Sequence, residues 1–262
     1  MFLFYCPVRI LIRMSESKDS KQAGGGQGEG AALPLRIAFD IEAAGCNFDN
    51  PILQVGAAHG TRPEDIKKES WCFRYDPCNF EKRCLDEFWS KHPKILERIQ
   101  REAGDPAEQW QKFMDFMNDK YKTYKDKLIL VSDNPAFDIA GIDNELRVRG
   151  LKKSGMRYAP EPIDNTFLPL HDPTERIKGM SKERQAAIRA EVDKVVQHTH
   201  WAPDDAHGIL LLEFALENGG GAAPLPSPLP PVATQDVSKS KKRKRDDKED
   251  EDEPPKKLLD RK

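Results

Sequence analysis

Between residues 35 and 216 the apolar positions repeat with two different periods. Residues 35–40 (LRIAFD) form an apolar run of strand length, 52–58 (ILQVGAA) form a second, and 71–75 (WCFRY) alternate as a third. Their short connections predict an antiparallel meander. From Leu85 the spacing turns helical through Leu85, Phe88 and Trp89. It restarts after Pro93 with Ile95, Leu96 and Ile99. Trp110, Phe113, Met114, Met117 and Tyr121 mark a long helix over 106–124, with Asp105 as its N-cap. Residues 127–131 (KLILV) predict another strand, followed by a Ser132-Asp133-Asn134-Pro135 turn and a helix carried by Phe137, Ile139, Ile142 and Leu146. Residues 151–180 are turn-rich, 181–197 are helical, and a last helix over 204–216 starts at Asp204 as N-cap. The order β-β-β-α-α-β-α-loop-α-α predicts an α/β domain with a mixed sheet.

The flanks lack these periods. Residues 1–34 read as a disordered or targeting leader, 35–218 as the folded domain, and 219–262 as a Pro/Gly linker with a charged tail. The first 13 residues are apolar with two arginines, and no acid precedes Glu16. That pattern fits an alternative-start leader, with Met14 as a second start, or a mitochondrial presequence. In the tail, Lys241, Lys242, Arg243, Lys244 and Arg245 read as a nuclear localisation signal for an import receptor, as a weak nucleic-acid tether, or as a solvated tail. The reading is of an intracellular, nuclear protein.

Composition narrows the classes. Of 262 residues, 38% are hydrophobic and 33% charged, polar for a fully globular chain. The formal net charge of −2 excludes a purely electrostatic nucleic-acid binder. Residues 35–223 carry 27 basic and 32 acidic side chains, so a site for a polyanion there needs metal ions to neutralise its acids. No apolar run approaches the ~20 residues of a membrane span. The five cysteines (6, 46, 72, 78, 84) form no CxxC pair and read as reduced thiols.

Three places put carboxylates where packing does not ask for them. Asp40 and Glu42 end the first apolar run two residues apart, and alternate strand side chains share a face. Two such carboxylates repel unless a cation such as Mg²⁺ or Mn²⁺ lies between them. A solvated strand end is the plain alternative. Asp138 follows Asn134 and Phe137 after the 127–131 strand, where an acid in a first helical turn is favoured in any case. Asp205 follows His200 in His200-Trp201-Ala202-Pro203-Asp204-Asp205, and a histidine of pKa ~6.5 can take a proton at neutral pH.

Together, D-x-E after the first strand, N-x-x-F-D after a later strand and H-x-A-x-x-D before the last helix resemble the motifs of the DEDDh 3′→5′ exonucleases. That family includes polymerase proofreading subunits, oligoribonuclease and phage exonucleases. The likeness runs from about Leu35 to Leu216 and includes Ile163-Asp164-Asn165-Thr166, similar to a "D-T" strand between the second and third motifs. It implies a ribonuclease-H-like fold with a central mixed five-stranded sheet flanked by helices. It implies that Asp40, Glu42, Asp138 and Asp205 bind two divalent cations, Mg²⁺ or Mn²⁺, and that His200 is the general base. The implied substrate is single-stranded or 3′-end nucleic acid, DNA or RNA, releasing nucleoside 5′-monophosphates. Ile41, Asn134, Phe137, Phe88 and Trp89 are candidate substrate contacts, Phe88 and Trp89 as a stacking platform or as a core pair. Lys67-Lys68, Lys82-Arg83 and Lys152-Lys153 are candidate backbone contacts or solvated surface pairs. Arg157, Arg176 and Lys178 lie in the 151–180 stretch that would shape the substrate channel. Ala43-Ala44-Gly45 departs from the family's hydroxyl pair after the first Glu. His198 is also near the third motif, but its distance to Asp205 is too long for it. The competing readings are the same fold as an inactive nucleic-acid-binding or protein-interaction module, and an interaction protein working through its tail.

Overall fold

The structure, a computed structural model, describes residues 33–47, 50–151 and 168–217. The readings for the leader, the charged tail, Lys152, Lys153, Arg157 and the 163–166 stretch lie outside the described residues. Strands β1 (Leu35–Ala43), β2 (Ile52–Gly60) and β3 (Lys67–Cys72) form the expected antiparallel meander. β4 (Leu128–Val131) joins parallel to β1, and β5 (Leu170–His171) parallel to β4. The sheet order is β3-β2-β1-β4-β5, a mixed five-stranded sheet. Seven helices flank it among the described residues: α1 (Lys82–Glu87), α2 (Pro93–Glu102), α3 (Pro106–Tyr124), α4 (Asp138–Val148), α5 (Pro173–Lys178), α6 (Lys182–Val195) and α7 (Ala202–Glu217).

The alternation along β1 sorts the two layers. Leu35, Ile37, Phe39 and Ile41 enter a core with Trp110, Phe113 and Met117 of α3 and Ile139, Ile142 and Leu146 of α4. The intervening residues face α7, where Ala38 packs against Ala206, Ile209 and Leu210. Arg36 on that face pairs with Glu217 at the far end of α7. By the same period of two, Asp40 and Glu42 point toward the start of α7. The lengths agree: Arg36 to Glu42 spans roughly 20 Å of strand and Asp205 to Glu217 roughly 18 Å of helix. α7 therefore runs antiparallel along the whole of β1 and is buried on most of its surface.

Four sequence expectations need correction. The third strand is Lys67–Cys72, not 71–75, because its first four residues are an exposed polar edge whose pairing with β2 no hydrophobic pattern marks. The turn-rich stretch contains β5 and α5, both too short for a period to show. α7 starts at Ala202, so Asp204 lies inside the first turn and is not the N-cap. Trp89 is a core residue, 1% exposed, with its indole Nε1 donating to Ala43 O at 3.1 Å.

Candidate active site

Parallel strands β1 and β4 end at the same edge of the sheet, which is where α/β sheets leave a crevice. Asp40 and Glu42 come from the end of β1, immediately before a register shift between Glu42 and Ala43. Asp138 begins α4, directly after the turn that leaves β4. Asp205 lies in the first turn of α7.

Two residues of β2 seat that turn. Gly56 stands opposite Asp40 in the strand register. A Cβ on Gly56 would lie 2.1 Å from the carbonyl carbon of Ala202 and 2.3 Å from Pro203 N, so only glycine lets α7 come this close. Gln54, opposite Glu42 and fully buried, accepts the Ala202 N–H at 3.2 Å and donates to Ser70 Oγ at 2.9 Å. Gln54 thus does for α7 what Asp204 was expected to do. Asp204 instead pairs with Lys68 at 2.6 Å.

The result is a set of converging oxygens. Carboxylate oxygens of Asp40, Glu42 and Asp205 lie within 4.8 Å of one another, as do those of Asp40, Asp133 and Asp138. Asp40 belongs to both groups. Glu42, Asp138 and Asp205 are buried and Asp40 half-buried. Burial raises the Asp40 carboxyl well above its ordinary range, and the charges of Asp138, Glu42 and Asp205 add to this. Glu42 is raised by burial and then by Asp205 and Asp138. Asp138 is raised by burial and then by Asp133, against the hydrogen bonds it accepts. One of these is from Ser132 Oγ, fully buried, at 2.6 Å. Among the described residues, no Lys or Arg lies within ion-pair distance of Asp40, Glu42, Asp138 or Asp205; Asp205 has only His198, at 3.3 Å. Oxygen donors in repulsive contact without a cationic side chain fit hard divalent ions such as Mg²⁺ or Mn²⁺.

His200 stands beside this cluster in a left-handed backbone conformation, φ 60°. Asp205 holds it there, accepting the His200 N–H on Oδ2 and the Thr199 N–H on Oδ1, both at 2.9 Å. The His200 ring packs against Phe88, His92 and His198, with centroids 4.9, 4.3 and 4.3 Å away. Burial, then His198 and His92, push its pKa down to about 4, below the ordinary histidine range expected from sequence. The imidazole is neutral at pH 7.

The other candidates divide. Phe88 is half-buried against His200 and faces the site, unlike Trp89. The Ile41 side chain turns away into the α3–α4 core. Phe137 is half-buried and packs on that core as well. Asn134 is exposed and its carbonyl accepts the N–H groups of Phe137 and Asp138. Lys82 is engaged by Asp86. Arg176 pairs with the buried Glu213 at 2.6 Å. Sequence reasoning missed Gly56, Gln54, Ser132 and His92. A glycine and a glutamine inside an apolar strand were the available signals for the first two.

No known family model matches the chain, and no curated protein matches it. Among solved structures, the nuclease domain of 3′hExo, a DEDDh family member bound to rAMP, is similar with a TM-score of 0.47 and 14% identity, covering 71% of this chain and 94% of that one. Cell-death related nuclease 4 gives a TM-score of 0.45 at 13% identity, covering 72% and 65%. E. coli Exonuclease I with an oligonucleotide gives 0.45 at 9%, covering 72% and 41%. Identity this low says nothing about chemistry, which rests on the residues themselves.

Proposed function

We propose that the chain is a metal-dependent 3′→5′ exonuclease acting on DNA or RNA ends. The observation that supports this most is the set of four carboxylates, three of them buried, brought from three elements to one sheet edge with no Lys or Arg among the described residues beside them. Asp40, Glu42 and Asp205 would hold one cation, and Asp40 with Asp138 a second. Bound there, the two ions would supply the positive charge that draws in the phosphodiester and lowers the pKa of a water.

The protein's own groups then have separate tasks. Neutral His200 accepts the proton of the attacking water on an imidazole nitrogen. Asp205 orients His200 through its backbone N–H, and the aromatic wall of Phe88 and His92 restricts how the ring turns. Ser132 Oγ donates to Asp138 Oδ2 and so restrains that carboxylate. Phe88 offers a ring face or edge to a terminal base. Lys241, Lys242, Arg243, Lys244 and Arg245 would carry the chain to the nucleus through an import receptor. Among the described residues, no helix is long and apolar enough to cross a membrane.

The test uses 5′-labelled DNA and RNA oligonucleotides with Mg²⁺, Mn²⁺ or EDTA. The expected result is a ladder shortening from the 3′ end, with nucleoside 5′-monophosphates released and nothing cleaved in EDTA. Binding without shortening under every condition would favour the inactive-module reading instead.

A further inference from the structure

The exonuclease reading leaves His198 without a task, although its ring stands beside both His200 and Asp205. We propose that His198, His200 and Asp205 form a second cation site for a borderline transition ion of the Zn²⁺ class, and that filling it blocks the hydrolytic site. The site stands on its own geometry; the block rests on the exonuclease reading, because the two sites share His200 and Asp205.

One ligand atom from each of the three residues lies within 4.8 Å of the others. His198 Nδ1 and Asp205 Oδ1 are 3.3 Å apart. That is the long end of an imidazole–carboxylate hydrogen bond. It matches the roughly 3.3 Å between ligand atoms that Zn–N and Zn–O bonds of ~2.0–2.1 Å give around a tetrahedral ion. The rings of His198 and His200 are 4.3 Å apart at 78°, so the two imidazoles meet edge to face.

The backbone is shaped to hold the trio. Asp205 accepts the N–H groups of Thr199 and His200, and Thr199 Oγ1 accepts the Trp201 N–H at 3.2 Å. The loop is thereby wrapped around the carboxylate, with His200 kept at φ 60°. A non-glycine residue there costs roughly 1–3 kcal/mol, a cost often met at functional sites. The His198 side chain is 69% exposed, which leaves an entry path and room for water as a fourth ligand.

Ligand preference separates the two sites. Imidazole nitrogens suit Zn²⁺, Cu²⁺ or Ni²⁺, whereas carboxylate oxygens alone suit Mg²⁺ and Mn²⁺. Asp205 is shared between an all-oxygen group with Asp40 and Glu42 and a nitrogen-rich group with His198 and His200. An ion in the second group occupies a nitrogen of His200 and an oxygen of Asp205, so neither is free for hydrolysis.

The experiment uses the full chain with Co²⁺ as an optical probe and Zn²⁺ as competitor, at a fixed Mg²⁺ concentration that competes for Asp205 alone of the three ligands. The expected result is an intense tetrahedral Co²⁺ absorption that Zn²⁺ removes. His198→Gln should weaken binding by about tenfold or more. His198→Cys should keep tight binding and add a thiolate charge-transfer band. In the nuclease assay, Zn²⁺ should inhibit at fixed Mg²⁺, and the midpoint should rise about tenfold in His198→Gln relative to that variant's own Mg²⁺-only rate. A weak octahedral spectrum, or equal affinity in wild type and His198→Gln, overturns the site. The expected spectrum without inhibition overturns the block. The expected spectrum in a chain with no Mg²⁺-dependent nuclease activity supports the site and refutes the exonuclease reading.

Discussion

Helix α7 carries buried carboxylates at both ends and treats them in opposite ways. Toward its C-terminus, Glu213 is fully buried and lies 2.6 Å from Arg176 Nη1 and from His171 Nδ1, while Glu217 accepts from Arg36 Nε at 2.9 Å. Those acids are matched by Arg176 and Arg36, and with His171 these contacts tie α7 to β1, β5 and α5. At its N-terminus, Asp205 meets Asp40 and Glu42, and its nearest basic side chain among the described residues is a histidine on a loop. Taking a carboxylate out of water costs several kcal/mol unless it is paired. The paired end shows how this fold buries an acid for structure. The unpaired end costs stability and has the form of a site completed by ions from solution.

Four substitutions or conditions break or sharpen that contrast. Asp40→Asn removes the acid common to both oxygen groups, and the rate of 3′-end hydrolysis should fall on the order of 10²–10³-fold or more. A rate within a fewfold of wild type would remove Asp40 from the mechanism. Gly56→Ala should act through position alone. Its methyl meets the Ala202 backbone at 2.1 Å, so α7 must shift, at about 2–3 kcal/mol. Thermal unfolding should come on the order of 5–10 °C earlier, with activity reduced in parallel, and an unchanged melting temperature would show that α7 yields freely.

Stability should respond with opposite signs at the two ends of α7. Glu213→Gln leaves Arg176 without its carboxylate and should cost about 2 kcal/mol, the half-exposed arginine limiting the loss. Asp40→Asn in EDTA at neutral pH should instead raise stability by relieving repulsion. Two losses of equal size in denaturant titrations would mean that the ends are not different in kind.

The smallest effect is the pH dependence. Folding raises Asp40 and Asp138 above their ordinary 3.8 and Glu42 above 4.5, so the native chain without metal binds more protons than the unfolded chain. This contribution favours the fold below the unfolded values and is lost as pH rises through the raised ones. Mg²⁺ offsets it. The gap in melting temperature between Mg²⁺ and EDTA should therefore widen from about pH 4 to 8, and a constant gap would count against the raised carboxyls.

Much of this site was legible in the sequence. The period of two put Asp40 and Glu42 on one face, and the strand-turn-helix pattern placed Asp138 beyond the end of β4. What escaped were features set by tertiary contact. α7 starts before Asp204 because Gln54, on a distant strand, supplies the cap. Leu170–His171 gives no strand signal, since two residues carry no period, and its partner Glu213 lies 42 residues away. Trp89 and Phe88 are adjacent and similar in character, yet only the indole N–H finds Ala43 O and goes inside. The depressed His200 pKa comes from burial, then His198 and His92, and no motif announces the burial or the approach of His92.

The central claim is that the unpaired acids are a cation site. The most direct measurement is Mn²⁺ bound per chain, read from the loss of the free-Mn²⁺ paramagnetic resonance signal. The account predicts about two ions per wild-type chain and a clear loss in Asp40→Asn, with Glu213→Gln at the paired end retaining both. Absent binding in the wild type, or equal binding in wild type and Asp40→Asn, would contradict it.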